Sequence, residues 1–190
     1  MISGIVAFAE RNTNGKNEFF LIGKAIGSPV KEFINEVNTK GVNVEYIGVV
    51  EGEKISKTYY NIRYASYKSS PLYYENPKES AWESIVLEIL EKNFARENDL
   101  LPSSQEIKNY TEYTRSAFEK DEDGEILVES MLSGMNMSIE EYWEYHEKYL
   151  APTALTHYKV QAYIQEHNLP ELKIENAVHY ITDIEYYDKL

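Results

Sequence analysis

An α+β fold is what this sequence predicts: a small antiparallel sheet with one helix in the N-terminal half, then a helical bundle in the C-terminal half. Three observations predict it. Seven of the nine glycines (Gly4, Gly15, Gly23, Gly27, Gly41, Gly48 and Gly52) fall in the first 52 residues, where short alternating apolar runs are divided by turn signals. Both tryptophans and all four histidines lie beyond residue 80, where apolar residues recur at helical spacing. Charge divides in the same place. Residues 1–75 carry nine Lys or Arg against eight Asp or Glu, or +1, so the net charge of −13 leaves −14 on residues 76–190. A boundary near Pro71 to Pro77 gives two expected units, a small α+β domain over 1–75 and an acidic helical domain over 76–190.

The first unit reads as strand, hairpin turn, strand, helix, strand, strand. Ile2 to Ala9 and Glu18 to Ala25 flank Asn14-Gly15, a dipeptide that favours the tight turns whose twist matches paired strands. Ser28-Pro29 starts a helix that Gly41 stops. Val42, Val44 and Tyr46 alternate as in a half-buried strand, and after the Glu51-Gly52-Glu53 turn Lys57 to Tyr67 is expected as a further strand with Tyr60, Ile62 and Tyr64 on one face. Tyr46, Tyr59, Tyr60, Tyr64, Tyr67, Tyr73 and Tyr74 could form an aromatic binding surface; packing within the sheet is the simpler reading, with Tyr73-Tyr74 set between the two halves.

In the second unit Ser80 is positioned to cap a helix whose stripes, Trp82, Ile85, Val86 and Ile89 and then Leu87, Leu90 and Phe94, make it apolar over most of its circumference. It should sit centrally. Ser103 with Glu106 is a capping box for a helix through Ile107, Tyr110, Thr114 and Phe118, ended by Asp121-Glu122-Asp123-Gly124. A short helix, Glu125 to Leu132, stops at Gly134. Ser138 with Glu141 is a second capping box, and Ile139, Tyr142, Trp143, His146 and Leu150 share one face while Glu140, Glu144, Glu147 and Lys148 occupy the other. Pro152 predicts a break at Ala151 and a new helix to about His167, a helical elbow. The tail from Leu172 leans towards helix, though its β-branched and tyrosine content also suits a strand.

Composition and motifs exclude more than they assign. No cysteine is present, which removes disulfides and thiolate chemistry. The apolar start MISGIVAFA runs into Glu10 and Arg11 too soon for a signal peptide or a membrane span, so a cytoplasmic protein is expected. An acidic surface repels phosphate backbones and anionic lipid, so neither direct nucleic-acid binding nor membrane attachment is expected. No metal-ligand framework occurs: His146 and Glu147 are adjacent and face different ways. Phosphate-binding glycine loops and a GxSxG elbow are also absent from the sequence, and no pair of carboxylates is singled out from the Glu runs. The expectation is a protein without enzymatic activity and without a cofactor.

Two segments, SAWESIVLEILEKNFARENDLLPSSQEI (80–107) and LSGMNMSIEEYWEYHEKYLAPTALTHYKVQ (132–161), together resemble the helical chaperone module of the SurA N-terminal and trigger-factor C-terminal type. The resemblance spans about residues 80–165; the first 75 residues resemble no family. It implies a module that cradles apolar stretches of unfolded polypeptide between helices, with Trp82, Met131, Tyr142, Trp143 and Tyr149 lining or supporting the cleft. No isomerase domain accompanies it, so prolyl isomerisation is not implied. The expected function is chaperone-like binding of unfolded or basic and apolar polypeptide segments. The alternative is an acidic inhibitor, of the kind encoded by a phage or mobile element, that docks one folded host partner.

Overall fold

The chain folds as a computed structural model that describes residues 7–13, 16–22, 44–69, 74–120, 132 and 138–190. Strands β1 (Ala7–Thr13) and β2 (Lys16–Ile22) pair antiparallel with Thr13 opposite Lys16, the two-residue connection that Asn14-Gly15 predicts. The turn itself, the expected helix between Ser28 and Gly41, and the linker residue Tyr73 lie outside the described residues.

A second antiparallel sheet carries the architecture. Strand β3 (Tyr46–Val50) pairs with β4 (Glu53–Ser56) through Glu51-Gly52, both at positive φ (47° and 80°), the geometry of a tight hairpin turn. On its other side β3 pairs with β5 (His179–Ile181), so the order is β4-β3-β5. The tail is therefore neither one helix nor one strand: a short 3-10 turn (Ile174–Asn176) precedes β5, and a terminal helix follows it.

Lys57 to Tyr67 is not a strand. It lies within helix α1 (Lys57–Ser69), which starts where the Ser56 hydroxyl accepts from the Tyr59 amide. Tyr60 and Tyr64 stack at i, i+4, rings 6.2 Å apart, so the tyrosines satisfy a helical period as well as an alternating one. Helix α2 (Pro77–Glu97) is capped by Asn76, four residues before the Ser80 expected to cap it, with Pro77 in its first turn. Its apolar stripe Trp82, Ile85, Val86 and Ile89 is buried as expected.

Both capping boxes form: Ser103 with Glu106 opens α3 (Ser104–Glu119), and Ser138 with Glu141 opens α4 (Ile139–Tyr145). The expected break at Ala151 does not occur. A π-helical turn, His146–Leu150, joins α4 directly to α5 (Ala151–Glu166), and the Ala151 amide bonds back to His146. One wide turn accommodates the missing donor and the ring of Pro152 without ending the helix. The terminal helix, α6 (Ile184–Lys189), is capped by Asp183.

One core crosses the expected boundary at residues 71–77. Ile47, Val50, Ile55 and Tyr60 from the first half are buried with Ala81, Trp82, Ile85, Val86 and Ile89 of α2, and Ile174, Ile181, Tyr187 and Leu190 of the tail pack against them. Tyr74 leans edge-on against Tyr67 of α1, ring centroids 4.7 Å apart, a contact within the first half. A second cluster, Ala95, Val160 and Ile164, joins α2 to α5.

Candidate functional site

Three of the five residues proposed to line a cleft are core residues. The Trp82 ring covers the inner face of the sheet at Gly48, where a Cβ would stand 2.6 Å from both the ring and the Tyr180 carbonyl oxygen. Glycine is required there by close approach. The Trp82 indole donates to His179 Nδ1 at 3.0 Å, which ties α2 to β5. Tyr142 and Trp143 are buried on α4, with Trp143 centroid distances of 6.2 Å to Phe118 of α3 and 5.4 Å to His146. Tyr149 is half-buried, 5.2 Å from the Tyr145 ring, and Met131 lies outside the described residues. Trp82 thus belongs to the core under the sheet, whereas Tyr142 and Trp143 belong to the packing of α4 on α3; together they do not line one groove.

The titratable groups inside the molecule are occupied by one another. Tyr59 donates to Glu88 at 2.6 Å while Arg63 bonds the second Glu88 oxygen and the Tyr59 hydroxyl, joining α1 to α2. Buried Glu91 lies 2.8 Å from His157 Nδ1 and accepts from Gln161 at 3.1 Å, joining α2 to α5. Lys57 bridges Glu45 (2.9 Å) and Asp183 (2.7 Å), and this ammonium holds the Asp183 carboxyl below the usual range. His146, 3.1 Å from the Thr111 hydroxyl, has its pKa lowered by burial to about 4, so it is neutral at pH 7. These arrangements tie elements together. Among the described residues no group of three or more His, Asp or Glu is placed to hold a metal ion, and no helix is long and apolar enough to cross a membrane.

The surface that stands out is the outer face of the β4-β3-β5 sheet. Lys54, Val49 and Tyr180 are register partners across the three strands, so they share one face. Tyr46 joins them, because the Lys54 ammonium lies over its ring at 5.2 Å. Val178 joins them by alternation with His179, whose ring is turned inward to Trp82. Tyr46, Tyr180 and Val178 are 42%, 53% and 65% exposed, and no described element covers them. Of the nearby carboxylates, Glu51 accepts from the Val178 amide at 2.6 Å and Glu45, which precedes Tyr46, pairs with Lys57, whereas Glu53, opposite buried Val50, belongs to the inner side, where it pairs with Lys92 of α2. The tail from 169 to 190 adds Glu171, Glu175, Asp183, Glu185 and Asp188 against only Lys173 and Lys189.

Of this face, the sequence points to Tyr46 as a packing residue and to Val178 as part of a helical spacing in the tail. The signal outweighed by helical spacing is the run Val178-His179-Tyr180-Ile181, four β-branched or aromatic residues that read as a short strand. No family model, curated protein or solved structure matches this chain.

Proposed function

We propose that this protein acts by binding polypeptide, and that it takes basic, apolar-bearing segments on the outer face of the β4-β3-β5 sheet. The partner class is the one expected from the sequence; the surface differs from the helical cleft that the chaperone resemblance implies. The observation that carries the reading is the exposure of Tyr46, Val178 and Tyr180 around half-buried Val49, beside a tail with five carboxylates against two lysines. Burying such side chains contributes roughly 25 cal/mol per Å² of apolar area, and the acidic tail favours a basic segment over an acidic one. Fluorescence anisotropy with a labelled peptide of alternating lysine and valine tests it. The wild-type chain is expected to bind, and Val178→Asp with Tyr180→Asp to weaken binding at least tenfold while retaining the native circular dichroism spectrum. Absence of binding, or equal binding by the variant, overturns the reading.

A second reading, docking of a single folded partner with a basic groove, is supported by a different feature. Glu140, Glu144 and Glu147 form an exposed acidic row along α4 and the π turn, opposite the buried Tyr142, Trp143 and His146. On α3, by contrast, Lys108 and Arg115 pair with Glu112 and Glu119 and interrupt the acidic face. Charge-led docking weakens steeply with added salt, whereas apolar burial does not. Loss of peptide binding between low and high salt, with Val178 and Tyr180 variants unaffected, would favour this second reading.

A further inference from the structure

We infer that the bound polypeptide adds to the sheet as a fourth strand along the free edge of β5, an inference that rests on the binding reading above. The hydrogen-bond pattern determines which backbone groups are free. Thr182 N–H donates to the Ile47 carbonyl and Glu51 N–H to the Val178 carbonyl, each at 2.8 Å. Residues 47/182 and 51/178 are therefore hydrogen-bonded pairs, and by the alternation of an antiparallel ladder so is 49/180. The N–H and C=O groups of His179 and Ile181 then point away from β3, and no described strand lies on that side.

The two edges of the sheet differ in their protection. On β4, Lys54 extends over Tyr46, Glu53 pairs with Lys92, and the chain turns at once into α1. Charge of this kind blunts an edge against pairing. The β5 edge presents Val178-His179-Tyr180-Ile181, with no proline, lysine or carboxylate among them. A strand added there receives main-chain hydrogen bonds from His179 and Ile181, and every second side chain lands beside Val178 and Tyr180.

Charge selects the occupant. A second copy would set one acidic tail beside another, with five carboxylates against two lysines over 169–190 in each, whereas a basic strand meets complementary charge. The occupant is therefore an extended polypeptide with apolar residues alternating with lysine or arginine.

The test uses the full chain and two forms of the alternating lysine–valine peptide, one unmodified and one methylated at alternate backbone amides. Strand addition predicts that methylation of the pairing register weakens binding at least tenfold, and that the unmodified peptide slows hydrogen exchange at the His179 and Ile181 amides. Equal binding of the methylated and unmodified peptides, or unchanged exchange at these two amides, overturns strand addition while leaving polypeptide binding intact. No binding of either peptide overturns both. Protection of His179 and Ile181 that rises with protein concentration, without peptide, overturns the peptide as occupant in favour of a second copy.

Discussion

At the scale of single residues, the buried polar side chains set how stability responds to acid. His146 is buried between α3 and α4 with Thr111 beside it, and burial lowers its pKa from 6.5 to about 4. A depressed pKa in the folded state means that the unfolded chain binds the proton more readily, so stability is fully present above about pH 6.5 and falls as the pH drops towards 4. The difference corresponds to roughly 3 kcal/mol. Urea denaturation at pH 7 and pH 4.5 should show that loss in the wild-type chain, and His146→Gln should remove most of it. If the variant loses as much stability as the wild type over this window, other groups govern the acid transition. Glu91 shows why sequence alone could not apportion such roles. It reads as one of many glutamates on an amphipathic helix, and only the arrival of His157 and Gln161 from α5 makes it a buried tie.

Local backbone chemistry was legible at the scale of elements wherever it was self-contained. Ser103 with Glu106 and Ser138 with Glu141 act over four residues, and both boxes form as the sequence predicts. Ser138→Ala should therefore cost about 1 kcal/mol, because the Glu141 amide loses its acceptor at the head of α4. A change in denaturation midpoint no larger than that of Ser84→Ala, a hydroxyl bonded only to its own helix, would remove the cap's assigned role. Legibility failed where two periods fit the same residues. Tyr60, Ile62 and Tyr64 alternate as in a strand, yet Tyr59 and Arg63 also reach Glu88 together, and that partner on α2 lies outside the local sequence. Pro152 misled for a related reason: a proline forbids one hydrogen bond but does not specify whether the helix ends or widens by a turn. The candidate surface was hidden because β5 is only three residues long and owes its existence to β3, over a hundred residues earlier.

Taken as a whole, the molecule is closed by its tail. Segment 169–190 supplies β5 to the sheet, places Ile174, Ile181 and Tyr187 on the core beneath Trp82, and bonds back through Tyr186 to Asn61, Lys57 to Asp183 and Tyr64 to the Leu190 carbonyl. Composition and charge divide the chain near residues 71–77, but surface composition does not report where the buried side chains meet. A fragment of residues 76–190 therefore carries β5 without β3, and Trp82 without Ile47, Val50 and Tyr60 to pack on. Exposing that apolar face removes several kcal/mol, comparable with the whole stability of an ordinary domain. The fragment is expected to show no cooperative unfolding transition on its own and a solvent-exposed tryptophan emission. Mixing it with residues 1–75 should restore both the transition and the blue-shifted emission of Trp82. A fragment that unfolds cooperatively alone, with the emission unchanged by the first half, would establish two independent cores.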